Sequence, residues 1–302
     1  MTRLAQAARA VERTAQDAGI TAHVHARRVD DVEDEIAVGA DVAVPMASLY
    51  KVAVAGTWAA LVTAGELDPL ADVVLDPTDR TAGPTGVSAL QDRVVLTQRD
   101  CVRLALAASD NACAAAVLSL VGADAVQTWL VGAGCGSTDA RRGTADAMRA
   151  VVAETGGRDL GQALALLADP AADRTTSEYD PALTSSSTAR DLTTMLAHLW
   201  REESALPVRE AMRRQVWRHR VASGFPHDDV VVAGKTGTLG RLRHEIAVVE
   251  IPGEVPVAVS VLTRSLRPES HQPRVDTAIG VIARTAVHPL RRPASPGDDH
   301  RG

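Results

Sequence analysis

Residues 2–18 carry apolar side chains at Leu4, Ala7, Ala8, Val11 and Ala15 with polar residues between them, the spacing of one face of an α-helix. Ile20, Ala22, Val24 and Ala26 then alternate with polar or small partners, which predicts a strand. An Asp-rich turn follows, and a second short strand is expected near Ile36–Val38. From Ser48 to Ala64 almost every position is apolar, so a long buried helix is predicted, stopped before Gly65. Residues 66–96 hold Pro69, Pro77, Gly83, Pro84 and Gly86 and read as irregular. Thr97 to Ala107 reads as a helix with Thr97 as N-cap and Asp100 in its first turn. Asp110–Leu120 and Ala123–Val131 give two more helices, and 144–168 is helical with an interruption at Gly156-Gly157. Thr188–Trp200 and Leu206–Trp217 are helical again. Three strand-like runs come late, at Val230–Ala233, Ile246–Ile251 and Val255–Leu262, before a last helix at about 272–287.

This order predicts an α+β fold. Both chain ends contribute to one antiparallel sheet flanked by helices, and the middle forms an all-helical region. Residues 1–289 are expected to make one catalytic unit, with the sheet part at about 1–45 and 205–289 and the helical part at about 46–204. The polar, Pro- and Gly-containing stretch 290–302 is expected to be a disordered tail. A site would lie between the two parts.

Composition narrows the classes. Aromatics are 2% of the chain, so the core has to be built from Ala, Val and Leu. The formal net charge of −6 gives no basic surface for nucleic acid. Arg3, Gln6, Arg9, Glu12 and Arg13 break up the N-terminal segment, so neither a leader nor a membrane helix is expected and the location expected is cytoplasmic. Cys101, Cys113 and Cys135 are odd in number and lack metal-type spacing, which predicts buried thiols and no metal site. No cofactor is expected, and the oligomeric state is left open.

Three short motifs bear chemistry. In Ser48-Leu49-Tyr50-Lys51, a helix puts the lysine on the same face as the serine one turn earlier, within reach of its hydroxyl. Serine needs an adjacent base to act as a nucleophile, and a partly buried lysine with a lowered pKa can supply it. Ser109-Asp110-Asn111 falls between two helices, where it also reads as a simple helix cap. Lys235-Thr236-Gly237-Thr238 follows an apolar strand and also reads as a strand running into a turn. Each motif alone has this plain structural reading; their order and placement give them weight together.

The set Ser-x-x-Lys, Ser-Asp-Asn, Lys-Thr-Gly resembles that of class A β-lactamases and penicillin-binding proteins. PMASLYKVAVAG is similar to the family's nucleophile helix. LTQRDCVRLALAASDNACAAAVL, TARDLTTML and VAGKTGTLGRLRHEIAVV are similar to later segments, so the likeness covers roughly residues 5–288. The resemblance implies a β-lactamase/transpeptidase-like fold in which Ser48 forms an acyl-enzyme with a small-molecule amide, ester or β-lactam. Lys51 would accept or relay the serine proton. Ser109 would pass a proton to the leaving group, and Lys235 would hold Ser109. Asn111 would contact the substrate amide. The N–H groups of Ser48 and Thr238 would form the oxyanion hole beside Gly237, and Thr236 and Thr238 would bind a substrate carboxylate. Arg241, Arg243 or His244 would add a cationic anchor.

One family feature is missing. The Glu-x-x-Leu-Asn stretch, whose glutamate activates the deacylating water, is not found between residues 112 and 234. A longer segment, at about 143–185, stands there instead. Glu154 and Glu178 are candidates for a relocated base; otherwise Lys51 activates water, or an amine or alcohol takes the acyl group. The readings kept open are a hydrolase with altered deacylation, an acyltransferase or cyclase of small-molecule biosynthesis, and an inactive binding scaffold. Neither nucleic acid nor membrane is expected as a partner.

Overall fold

The computed structural model describes residues 2–172 and 174–294. Helix α1 (Arg3–Ala18) opens on Thr2, whose side chain accepts from Ala5 N, and closes on Gly19, whose φ of 68° suits a residue without Cβ. It leads into β1 (Ile20–Arg28), β2 (Glu35–Val38) and β3 (Val44–Pro45). A 3₁₀ turn at Ala47–Leu49 runs directly into α2 (Tyr50–Thr63). Strands β4 (Asp72–Leu75) and β5 (Val94–Thr97) bracket a stretch expected to be irregular. They pair only with each other; Val73 and Leu75 face the core while Val74 and Val95 face solvent.

Next come α3 (Gln98–Ala107), α4 (Asn111–Val121), α5 (Ala123–Gly132), α6 (Thr144–Thr155) and α7 (Leu160–Ala168). The expected break at Gly156-Gly157 separates α6 from α7, with Gly156 at φ 75°. Strand β6 (Ser186–Ser187) pairs with β3 and is followed by α8 (Ala189–Arg201) and α9 (Leu206–Arg213). The chain ends with β7 (Val231–Leu239), β8 (Leu242–Glu250), β9 (Val257–Ser265) and α10 (Pro273–Val287). The last strands are longer than their apolar runs suggested, because each continues through polar residues; Thr236 and Thr238 of β7 and Arg243 of β8 line the cleft.

The five-stranded sheet has the order β2-β1-β9-β8-β7 and is antiparallel throughout. Both chain ends therefore build it, as expected of this α+β fold. It is buried on both faces. Ile246 and Val248 point into a core shared with α2, α3, α4 and α8, while Ala247 and Val249 point towards α1 and α10. That double burial is why these strands read as apolar runs instead of strict alternation. Part of the expected tail is ordered: Leu290 is buried, Arg291 pairs with Glu254, and Ala294 N donates to Gly253 O at 2.9 Å. Residues 295–302, the rest of that tail, lie outside the described residues. No single described helix is long and apolar enough to cross a membrane.

Candidate active site

The three motifs converge at the boundary between helices and sheet. Ser48 sits in the 3₁₀ turn before α2, Ser109 in the turn between α3 and α4, and Lys235 in β7, the edge strand. Two residues here adopt left-handed backbone without being glycine: Ala47, just before the serine (φ 47°), and Ser109 itself (φ 59°). Such strain is of order 1–3 kcal/mol per residue and survives only where its surroundings enforce it. Around Ser109 they do. Asp110 caps α4 at Cys113 N and accepts from Ser88 Oγ at 2.7 Å and from Val87 N.

Gly237 lets β7 approach the Ser48 turn. A Cβ there would lie 2.8 Å from Met46 O and 3.1 Å from Leu49 Cγ. This contact holds the Ser48 turn against the strand that carries Thr236 and Thr238.

The polar centre is a pair of lysines meeting at one hydroxyl. Lys235 Nζ donates to Ser109 Oγ at 2.8 Å and to Thr236 O at 2.7 Å. Lys51 Nζ lies 3.4 Å from the same Oγ and donates to Ser109 O and Asn111 Oδ1, each at 2.7 Å. Both lysines are buried. Burial brings Lys51 down to about 7. It also takes Lys235 well below the ordinary lysine range, with the Lys51 charge pushing the same way. The bond expected from Lys51 to Ser48 is not formed; its ammonium points at the Ser109 turn. Asn111, expected to meet the substrate, is engaged at both ends, since its Nδ2 donates to Ala82 O at 3.0 Å.

Ser48, Ser109, Asn111, Thr236, Thr238 and Arg243 all line one cleft of about 460 Å³, while Lys51, Lys235 and Gly237 lie just behind its wall. The cationic candidates separate. Arg243 lines the cleft and pairs with Asp276 at 3.4 Å. Arg241 does not line it and donates to Leu266 O. His244 is buried behind β8, where Nε2 donates to Pro45 O and Nδ1 accepts from Thr263 N, both at 3.0 Å. Burial lowers its pKa to about 3, so it is a neutral fastener and not an anion anchor.

The cleft also holds a cation that the motif reading missed. Arg220, in the loop after α9, donates to Thr238 Oγ1 and His244 O at 2.8 Å, to Gly237 O at 3.2 Å, and to Asp276 Oδ1 at 2.8 Å. It is 2% exposed and lies on the cleft wall. Nothing in Arg218-His219-Arg220 singles it out as sequence; only the return of the loop to β7 does.

The two glutamates part company. Glu154 is exposed, lies off the cleft, and accepts from Ser177 N at 2.8 Å, joining α6 to the turn at Ser177–Tyr179. Glu178 is buried and lines the cleft, but one oxygen lies 2.9 Å from Arg142 and the other accepts from Thr184. Among the described residues that line the cleft, Glu178 is the one carboxylate. Tyr50 was also not foreseen. Its hydroxyl shares a hydrogen bond with Thr144 Oγ1 at 2.9 Å and accepts from Thr144 N at 3.0 Å, tying the start of α6 to the turn after Ser48.

Comparison with known proteins agrees with this geometry. Residues 3–290 match the family model described as the β-lactamase enzyme family. The β-lactamase regulatory protein BlaB of Streptomyces cacaoi is 28% identical over 278 residues, covering 85% of this chain and 89% of its own. Among solved structures, the β-lactamase of Burkholderia phymatum is similar at 17% identity and a TM-score of 0.76, covering 96% of this chain and all of its own (100%). The β-lactamase of Sphaerobacter thermophilus gives 21%, 0.74, and 94% and 96% of the two chains. PBP-A is similar at 18% and 0.73, with 95% of each chain covered. At these identities the structural matches show the fold alone.

Proposed function

This chain belongs to the β-lactamase enzyme family, and from that premise we propose that it is a serine acyl-transfer enzyme whose nucleophile is Ser48. The supporting observation is the shared hydroxyl: Ser109 Oγ lies 2.8 Å from Lys235 and 3.4 Å from Lys51, on the cleft that Ser48 also lines. A lysine with a pKa of about 7 is half deprotonated near neutral pH, so Lys51 can accept the Ser48 proton. Ser48 Oγ then bonds to the carbonyl carbon of an amide, an ester or a β-lactam. The bond to the leaving nitrogen or oxygen breaks, and Ser109 hands a proton to that atom. Lys235 orients Ser109 from behind. The N–H groups of Ser48 and Thr238 stabilise the developing oxyanion, at about 3–4 kcal/mol per donor in comparable sites. Thr236 and Thr238 receive a substrate carboxylate, with the charges of Arg220 and Arg243 on the same cleft favouring it.

Release of the acyl group is altered in this reading. Glu178 lies 2.9 Å from Arg142 and accepts from Thr184, which fixes its carboxylate on the cleft wall, and in this reading the acyl-enzyme is long-lived unless an amine or alcohol takes the group. A second reading, a binding protein that senses its ligand through a persistent adduct, draws support from the same occupied carboxylate and from the regulatory relative in Streptomyces cacaoi.

The test is incubation with a fluorescent penicillin and mass spectrometry of the intact chain. An adduct that maps to Ser48, is absent in Ser48→Ala and persists for minutes is expected. Release faster with an added amine than with water would make the protein an acyltransferase. No adduct at Ser48 with any activated ester or penicillin would overturn the acyl-enzyme reading.

A further inference from the structure

The rebuilt segment between the second and third motifs gives the cleft a wall of a definite chemical kind. On α6, Ala147, Met148 and Val151 line the cleft; on α7, Leu160, Leu164 and Ala168 do, at the i, i+4, i+8 spacing of a single helical stripe. Thr144, at the start of α6, lines the cleft and is bonded to Tyr50, while the charged residues of α6 and the N-cap of α7 are occupied elsewhere. Asp146 accepts from Gly143 N and pairs with Arg149, Glu154 reaches Ser177, and Asp159 caps α7 at Gln162 N.

Val151 of α6 is buried in packing, but the α7 part of the stripe is not consumed by it. α7 anchors itself with Ala163 and Leu167, which join Val151, Tyr179 and Leu242 in a small core of their own. Leu164, on the cleft side, stays 37% exposed. A helix that already has an inward face, and carries a second apolar face open to a cleft containing a serine nucleophile, is built to bury something apolar that enters with the substrate. Arg220 and Arg243 also line the cleft.

We propose that the substrate is an acyl donor with an extended apolar acyl arm, aliphatic or aryl-alkyl, lying on the α6–α7 stripe. This deepens the acyl-enzyme reading and rests on it. The chemical step is the one given above: the acyl carbon exchanges its bond to the leaving oxygen or nitrogen for one to Ser48 Oγ, and the serine proton departs with the leaving group.

The experiment uses the full chain and p-nitrophenyl esters of straight-chain acids from acetate to octanoate. The expected result is that kcat/KM for Ser48 acylation rises by about fourfold per added methylene, the transfer preference of one buried CH₂, until the cleft is filled. In Leu164→Asp the octanoate-to-acetate ratio should collapse by at least about tenfold. In parallel, the Kd of the free acids, acetate to octanoate, is measured for the Ser48→Ala protein, which reads the groove without any chemistry. A flat series in both measurements overturns the apolar arm while leaving Ser48 labelling intact. Missing Ser48 labelling with a chain-length-dependent Kd overturns the acyl-enzyme reading and keeps the groove.

Discussion

If Lys51 is the base, acylation should follow its deprotonation. Its burial lowers the pKa to about 7, against roughly 10.4 for a free lysine. Below pH 7 the neutral fraction approaches a tenfold fall per pH unit, so the acylation rate should fall by about fiftyfold between pH 7 and pH 5. Because Lys235 also feels the Lys51 charge across the Ser109 hydroxyl, the limb belongs to the two ammonium groups together. Stability has the same sign. Between pH 7 and about 10.4 the unfolded chain keeps a proton that the folded chain has lost, so stability rises with pH across that window, by about 4–5 kcal/mol in all. The depressed pKa therefore destabilises the folded protein at pH 7 by that amount. Replacing Lys51 with methionine removes this term but leaves Ser109 O and Asn111 Oδ1 without their donor, at about 1–3 kcal/mol each. The two effects nearly cancel. Lys51→Met should keep its melting temperature within a few degrees while acylation drops by at least about a hundredfold. The assay is stopped-flow acylation by a chromogenic cephalosporin from pH 5 to 9, beside thermal melts of both proteins. A rate independent of pH over that range, or a Lys51→Met protein that still acylates within tenfold of the parent, would refute the assignment.

Three further outcomes follow from the same coordinates. Arg220→Ala strips a buried partner from Asp276 and a donor from two carbonyls, so a loss of about 3–5 kcal/mol is expected by chemical denaturation, together with a higher KM for substrates bearing a carboxylate; an unchanged midpoint and KM would contradict it. Gly237→Ala pushes a methyl group towards Met46 O, so β7 must move away from the Ser48 turn; destabilisation of about 1–3 kcal/mol and slower acylation are expected in melts and labelling kinetics. Glu178→Gln should lower the melting temperature by several degrees and change acyl-enzyme lifetime by less than tenfold, measured by intact mass over time; a lifetime extended a hundredfold would instead make Glu178 the deacylating base.

Much of the fold was legible because its signals are local. Thr97 caps α3 as expected, Gly156-Gly157 breaks the helical stretch, and α10 falls within a residue of its predicted start. The chemistry-bearing motifs were legible because their residue types are rare in combination, even though each alone is a common cap or turn. Strands β4 and β5 escaped notice because each is only four residues long and lies in a stretch interrupted by Pro and Gly. Arg220 and Tyr50 escaped because their importance comes from partners far along the chain, at Thr238 and Thr144.

The chain's own order of residues determined which groups were available: one serine at a helix start, two lysines destined for burial, and a segment without the expected glutamate. Tertiary structure alone decided what those groups became. It turned Lys51 towards the Ser109 turn, made His244 a neutral fastener, and spent Glu178 on Arg142. The reason is physical. Side-chain reach and helical spacing are fixed within a few residues, whereas burial, charge pairing and cleft shape are sums over neighbours that only folding brings together.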